Sequence, residues 1–378
     1  MKILLWTSIV LIVYPYLIYP VIVYFLGLMR PRPVKRAAHL PTMSVLIPAY
    51  NEVDCIGATI RNKLEQAYPA EKLQIIVISD GSTDGTDEVV RQFADKGVSL
   101  LRREGREGKA AGLNDAVRHA TGEIIVFSDA NTLFGPNALH RIAENFADPA
   151  IGYLTGSLEF LAGEGNLSGA GGNAYMRYES LVRRIETRAG SIIGSNGGVD
   201  AIRRSLYVDT PAHLITDFIL PLTVMAGGHR VIFDPLVTAF EAPNVEVSSE
   251  FRMRVRVALR ALQGLAHMRR LLNPLRYPLA SFCIISHKAL RYLGFVFMLS
   301  ALASNLVLAQ DDGFYRGLLL LQLVAYGLAL LGFLRLPGFL RKLTVVPSYL
   351  LLSNVAFAIA AFRFLRGDTM AVWRPRAG

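Results

Sequence analysis

Charge is missing from four long stretches of this 378-residue chain: Ile3–Met29, Tyr292–Gln310, Gly317–Leu334 and Leu343–Phe362 hold no Asp, Glu, Lys or Arg. With 52% hydrophobic residues and a mean hydropathy of +0.36, the chain is too apolar for a purely soluble protein. Cysteine is scarce as well. Cys55 and Cys283 are too few and too far apart for a disulfide framework or a zinc site. The dinucleotide fingerprint GxGxxG does not occur. GREGKAAGLN (105–114) is no Walker loop either, because Gly105 and Gly108 are too close and Ala110 follows Lys109. No motif for RNA or DNA binding is present. The formal charge of +10, beside runs of membrane length, points to anionic lipid and a phosphorylated substrate and not to nucleic acid.

The first apolar run would extend about 40 Å as a helix, enough to cross a bilayer. It is longer than the apolar core of a signal peptide and is followed by Arg30, Pro31, Arg32, Pro33, Lys35 and Arg36, so a retained anchor is expected. Basic residues also precede the second run (His287, Lys288, Arg291) and follow the third (Arg335, Arg341, Lys342), while Asp311 and Asp312 occupy the opposite loop. The positive-inside rule then places the long polar region in the cytoplasm. Four full crossings would leave Arg363, Arg366, Arg374 and Arg376 outside, so the same rule predicts a last segment that is re-entrant or lies flat. The expected division is an N-terminal transmembrane helix (1–30), a cytoplasmic domain (40–245), an interfacial helix (250–275) and a C-terminal membrane region (280–366).

Within the polar region, apolar strand-like runs alternate with helical spacing. SVLIPAY (44–50), IIVISD (75–80), VSLLRRE (98–104) and IIVFSD (124–129) read as strands, with helices at 55–67, 86–94, 109–119 and 136–146. Strands apolar on both faces and separated by helices predict an α/β fold, a Rossmann-like and mostly parallel sheet. Ligands bind such sheets at the carboxyl ends of the strands. Asp80 and Asp129 are the last residues of two of them, so each is either a cap on the following helix or a ligand contact. After Asp80, DGSTDGTDE offers backbone N–H groups. Asp129 and Asn131, spaced i, i+2, present two oxygen ligands suited to a hard divalent cation, and Lys109 opens a helix where it can meet a phosphate.

PAYNE (48–52), SDGSTDGT (79–86), GKAAGLN (108–114) and SDAN (128–131), in that order, resemble the nucleotide-sugar half of family 2 glycosyltransferases of GT-A fold. SNGGVDAIRRSLY (195–207), ITDFILPLTVMAGGHRVIFDP (215–235), the basic helix at 251–272 and the C-terminal apolar runs are similar to the membrane-bound polymerising branch, which includes cellulose, chitin, hyaluronan and poly-N-acetylglucosamine synthases. The resemblance implies an inverting hexosyltransferase of the bacterial inner membrane, using a UDP-sugar and Mg²⁺ or Mn²⁺. Its acceptor would be a hydroxyl of a growing β-linked cell-surface polysaccharide, or alternatively a lipid in a single transfer. It also implies that Ala49, Asn51, Glu52 and Asp80 hold the nucleotide, that Lys109 meets the diphosphate, and that Asp129 touches ribose and metal. Asn131 stands where the family has a second acid.

Inverting transfer needs one carboxylate to take the acceptor proton. Asp217 is the candidate, with a helix N-cap as its plain alternative, because Pro221 is expected only near a helix start. Ser195, Asn196 and Gly197 are expected under the acceptor sugar, or else in a simple turn. Arg260, four residues before Gly264, resembles the diphosphate-contacting arginine of the family's Gln-x-x-Arg-Trp motif, but Val257 and Ala261 replace its glutamine and tryptophan. A transporter or scaffold with a nucleotide-binding domain is the rival class. It would be expected to carry charge inside its membrane segments, and these have none.

Overall fold

The computed structural model describes residues 1–160, 167–195, 197–241, 247–334 and 338–369. Lys2–Val13 (α1) and Tyr19–Met29 (α2) join through a π-helical turn, Tyr14–Ile18, into one 28-residue helix. The widened turn coincides with Pro15, whose ring cannot supply a backbone donor.

The polar region follows as β1 (Met43–Ala49), α3 (Val53–Leu64), β2 (Leu73–Asp80), α4 (Thr86–Arg91), β3 (Val98–Arg103), α5 (Lys109–His119), β4 (Ile124–Ser128), β5 (Leu133–Phe134), α6 (Ala138–Phe146) and β6 (Ile151–Phe160). Then come α7 (Leu167–Ala189), β7 (Val199–Arg203), α8 (Thr216–Ala226), β8 (Arg230–Glu241) and α9 (Val247–His267). The strands form one sheet in the order β3-β2-β1-β4-β7-β6-β8-β5. The first four are parallel. β7 runs antiparallel to β4 and β6, and β5 antiparallel to β8, so the sheet is mixed.

Side chains alternate across each strand. Val45, Ile47, Val77 and Val126 point into a core completed by Ile56 and Ile60 of α3 and Phe146 of α6. Leu46, Ile76, Ile125 and Phe127 point to the opposite face, against Leu113 of α5 and Leu222 of α8. Burial on both faces is why these strands read as unbroken apolar runs. The second core continues through Val182 and Ala189 of α7 to Tyr19 and Val23 of α2, so the N-terminal helix is packed into the same apolar body as the sheet.

The C-terminal region holds α10 (Pro278–Cys283), a π-helical stretch (Ile284–Ala289), α11 (Leu290–Tyr292), α12 (Gly294–Leu308), α13 (Gly313–Leu331) and α14 (Gly338–Leu365). Lys2–Met29, Gly313–Leu331 and Leu343–Leu365 are long and apolar enough to cross a bilayer. α14 is a single helix and therefore not a re-entrant hairpin, whereas Pro278–Tyr292 and Gly294–Leu308 meet at a 59° bend. Helices of this composition make the chain a membrane protein.

Gly122 precedes β4 against the centre of the sheet. A Cβ there would stand 2.4 Å from the Ser44 nitrogen and 2.6 Å from the Met43 carbonyl carbon. Both are main-chain atoms of β1, which β2 and β4 hold from either side. Gly122→Ala is expected to destabilise the protein by roughly 1–3 kcal/mol and to lower its thermal midpoint in detergent. An unchanged midpoint would refute this account of the β1/β4 junction.

Candidate active site

Strand order reverses between β1 and β4, and the crevice at their carboxyl ends is where this topology binds ligands. Ala49 ends β1, buried. Beyond it, Asn51 has φ +54°, a left-handed conformation unfavourable for a side chain. It is held there by a clasp between two loops. The Asn51 N–H donates to Ser82 Oγ (3.2 Å), Asn51 Oδ1 accepts from the Thr83 N–H (2.9 Å), and the Glu52 N–H donates to Thr86 Oγ1 (2.9 Å). The Arg106 guanidinium carbon lies 3.8 Å from the Tyr50 ring centre.

Asp80 does not cap α4. Its carboxylate accepts the N–H groups of Glu107 (3.2 Å) and Gly108 (2.8 Å), the loop that leads into α5. Lys109 is thereby set at the helix start with its ammonium over the crevice. Its Nζ is 2.6 Å from Asp129 Oδ1 and 3.8 Å from Asp217 Oδ2. Burial works against the charge on Lys109, but the two carboxylates outweigh it and push its pKa above the usual value. One cation therefore joins residues from β4, α5 and α8.

The turn after Asp129 is fastened from α3. Thr59 Oγ1 donates to the Ala130 carbonyl (2.7 Å), and the buried Lys63 ammonium donates to the Thr132 carbonyl (2.5 Å). Asn131 lies between these anchors and makes no side-chain hydrogen bond with another described residue, so its amide oxygen is available. Asp129 and Asn131 supply two oxygens, and no cluster of three His, Cys, Asp or Glu suited to a metal occurs among the described residues. This donor set fits a hard divalent ion that completes its shell with phosphate oxygens and water.

Asp217 lies in the first turn of α8, where the helix dipole favours negative charge. Its side chain makes no cap bond and accepts instead from Thr216 Oγ1 (3.2 Å). Pro221 sits inside the helix and not at its start. A residue at this place would ordinarily donate its N–H to the Asp217 carbonyl, and proline has none to give. The freed carbonyl accepts from the N–H (3.3 Å) and Oγ (2.8 Å) of Ser195. The helix defect thus ties the loop after residue 194 to Asp217. Gly197 in that loop has φ +72°, and a Cβ on it would lie 3.1 Å from Asp217 Oδ2. Asn196 lies outside the described residues.

Ser195 Oγ is also 2.8 Å from Oδ2 of Asp200, a buried carboxyl on β7. A hydroxyl has one proton, so Ser195 satisfies both contacts when Asp200 is protonated and donates to it. The surroundings favour that state. Burial first, and then the nearby charge of Asp217, raise the Asp200 pKa to about 7. Arg260 is turned inward. Its guanidinium donates to the carbonyls of Ala212 (3.3 Å), His213 (3.2 Å) and Leu214 (2.6 Å), the segment that enters α8. Burial and the neighbouring Arg256 lower its pKa to about 10.

Asp80, Lys109, Asp129, Asn131, Ser195, Gly197 and Asp217 therefore belong to one crevice, with Ala49, Asn51 and Glu52 on its rim, while Arg260 braces it from behind. Sequence reasoning missed Asp200, Thr59 and Lys63. Asp200 did leave a signal, as the one charge inside the apolar run VDAI (199–202).

Residues 44–205 match the family model for glycosyl transferase family 2. Among curated relatives, a poly-beta-1,6-N-acetyl-D-glucosamine synthase from Staphylococcus aureus is 27% identical over 61% of this chain and 57% of its own length. Glycosyltransferase AglE from Haloferax volcanii is 31% identical over 38% of this chain and 45% of its own. The chain thus spans about half the length of these relatives. Mannosyltransferase PcManGT from Pyrobaculum calidifontis, solved in complex with GDP-Man and Mn²⁺, superposes over 97% of this chain and 99% of its own, with a TM-score of 0.73 and 25% identity. The sheet and its flanking helices have the GT-A fold. Residues 44–205 of the chain form a glycosyl transferase family 2 domain.

Proposed function

We propose that this protein is an inverting glycosyltransferase that moves a hexosyl unit from a UDP-sugar to a hydroxyl of a growing polysaccharide, with its sheet domain facing the cytoplasm at the bacterial inner membrane. The observation that carries this reading is Lys109 between Asp129 and Asp217. One ammonium placed between a donor-side and an acceptor-side carboxylate suits a reaction in which a diphosphate departs on one side of a sugar while a hydroxyl loses its proton on the other. Ala49, Asn51, Glu52 and Asp80 line the nucleotide's place. Lys109 draws the diphosphate toward itself. Asp217 accepts the hydroxyl proton as the acceptor oxygen attacks the anomeric carbon. Ser195, Asn196 and Gly197 lie under the acceptor, and Arg260 positions the segment that carries Asp217. Asp129 and Asn131 would hold Mg²⁺ or Mn²⁺, which when bound supplies positive charge to the leaving group.

A second reading is a single transfer onto a lipid acceptor. Val257 is exposed on α9, Ala261 is buried, and neither offers an aromatic platform for a lengthening chain. The mannosyltransferase with GDP-Man aligns along nearly the whole chain, so guanosine donors belong in the same test.

Purified protein incubated with UDP- and GDP-sugars should release nucleoside diphosphate only with a divalent metal. A ladder of products would mark polymerisation, and one glycolipid the second reading. Asp217→Asn is expected to lower turnover by about 10²–10⁴-fold, and Asp129→Ala to abolish the response to metal. Intact turnover in both variants would remove the mechanism.

Pro221→Ala should restore a helical hydrogen bond to the Asp217 carbonyl. The variant is expected to be at least as stable as the unaltered chain, yet slower, because Ser195 loses its acceptor. A stable variant with unchanged turnover would show that the Ser195 contact is dispensable.

Asp200 predicts a pH dependence of stability. Its folded pKa of about 7 exceeds the ordinary 3.8, so between these values the folded state binds the extra proton. Its contribution is complete at low pH and is lost as pH rises toward 7, with a slope of at most about 1.4 kcal/mol per unit. Unfolding free energies at pH 5 and pH 8 should differ less in Asp200→Asn than in the unaltered chain. An equal difference would exclude a protonated Asp200.

A further inference from the structure

Leu343–Leu365 is long and apolar enough to cross a bilayer, yet its contacts all lie toward the sheet domain. The far end of the membrane helices is marked by Leu5, Ala301, Ala309 and Tyr315, which share a small core. From there α13 runs back toward the sheet domain, with the Tyr326 hydroxyl 3.4 Å from the Met298 carbonyl. α14 starts where that run ends. Ser348 Oγ is 2.7 Å from the Ala329 carbonyl oxygen, and a Cβ on Gly332 would stand 3.0 Å from Thr344 Cβ. A crossing would now take α14 back toward Tyr315 and Leu5.

It turns aside instead. Asn354 Oδ1 is 2.6 Å from where a Cβ on Gly294 would stand, and the Phe357 ring meets Tyr292 edge-on at 5.0 Å, so this part of α14 passes the 59° bend. The Tyr349 ring lies 5.2 Å from that of Tyr175 on α7. α14 then runs beside α9 in the same direction: Arg254 donates to Ser353 Oγ (3.0 Å), Ala360 packs with Ala258 and Leu259, and Gln263 donates to the Asp368 carbonyl (2.8 Å). α9 is no membrane helix. It carries Arg252, Arg254, Arg256 and Arg260, and Arg260 is bonded to the segment that enters α8.

Both ends of α14 are therefore on the side of the sheet domain. Charge agrees, since Arg341 and Lys342 precede the apolar run while Arg363 and Arg366 follow it, and the positive-inside rule is met only if the two flanks share a side. Thickness agrees too. Arg291 reaches the Pro15 carbonyl (3.4 Å), which sets the level of the bend on the first helix. From Lys2 to Pro15 that helix rises about 20 Å, and a helix lying flat at this level adds about 10 Å, which together make the ~30 Å of a hydrocarbon core. The exposed side chains of α14, among them Leu350, Val355, Ile359 and Phe362, are apolar.

We infer that α14 does not cross the bilayer but lies flat in the leaflet nearer the sheet domain, its free side set among the acyl chains just below the headgroups and its other side carrying α9. The bilayer is then crossed by Lys2–Met29, Pro278–Leu308 and Gly313–Leu331. The helix whose Arg260 braces the approach to Asp217 is thereby seated on a lipid-embedded one.

The inference is tested on the full chain in bacterial membranes, with added cysteines located by mass spectrometry of the labelled peptides. A membrane-impermeant maleimide is applied to spheroplasts and to inverted vesicles. Gln310→Cys, between α12 and α13, and Thr369→Cys, after α14, are expected to label from opposite sides, and Thr369→Cys from the same side as Lys96→Cys in the sheet domain; all three positions are exposed. Nitroxides on Leu350→Cys and Phe362→Cys are expected at depths within about 5 Å of each other, where a crossing helix would separate them by about 18 Å. Labelling of Gln310→Cys and Thr369→Cys from one side, or a depth difference near the larger figure, would overturn the inference. Lys96→Cys and Thr369→Cys labelled together from outside would refute the cytoplasmic placement of the sheet domain while supporting the flat helix.

Discussion

The site depends on the ammonium of Lys109. Asp129 comes from the end of a strand and Asp217 from the start of a helix some ninety positions later, and two carboxylates approaching one crevice repel each other. A single cation between them makes the approach favourable. The surrounding structure serves that arrangement. Asp80 holds the loop from which Lys109 extends, and the hydrogen bonds from Thr59 and Lys63 hold the turn after Asp129. A cation placed by its own second layer of hydrogen bonds needs little reorganisation when a charged substrate arrives, which is the physical content of preorganisation.

The loop after residue 194 is fixed by a defect in α8. Proline inside α8 removes one helical hydrogen bond, and the carbonyl so released becomes the anchor for Ser195. The same serine meets Asp200, whose burial keeps a proton available near neutrality. A regular helix would have bound its own carbonyl and left the glycine loop without a fixed point. Local cost and site geometry are here two aspects of one feature.

Continuity between the membrane helices and the sheet is the third element. Tyr19 and Val23 share a core with β1 and α8, and the Tyr19 hydroxyl also donates to Glu186 of α7. The N-terminal helix is therefore part of the scaffold that positions chemistry, not a tether alone.

The four leading strands, their intervening helices and the residues at their carboxyl ends were legible because burial on both faces writes an apolar run that only a terminal Asp interrupts. IIVISD and IIVFSD announced Asp80 and Asp129 in this way, and the uncharged runs announced the membrane helices. The 59° bend at Leu293 left no mark in the charge pattern, because it depends on how helices pack and not on which loop is basic. Pairing remained hidden. That Asp80 bonds the Lys109 loop and not its own helix, that Arg260 faces backbone carbonyls, and that Asp200 lies behind Ser195 are contacts between segments far apart in the chain. By itself, then, the sequence determined which residues end strands, which stretches enter a membrane and which chemistry those residues can perform, since these follow from period and composition. Only the tertiary structure decided which charge meets which, because a Coulomb interaction depends on separation in space, and separation along the chain does not determine it.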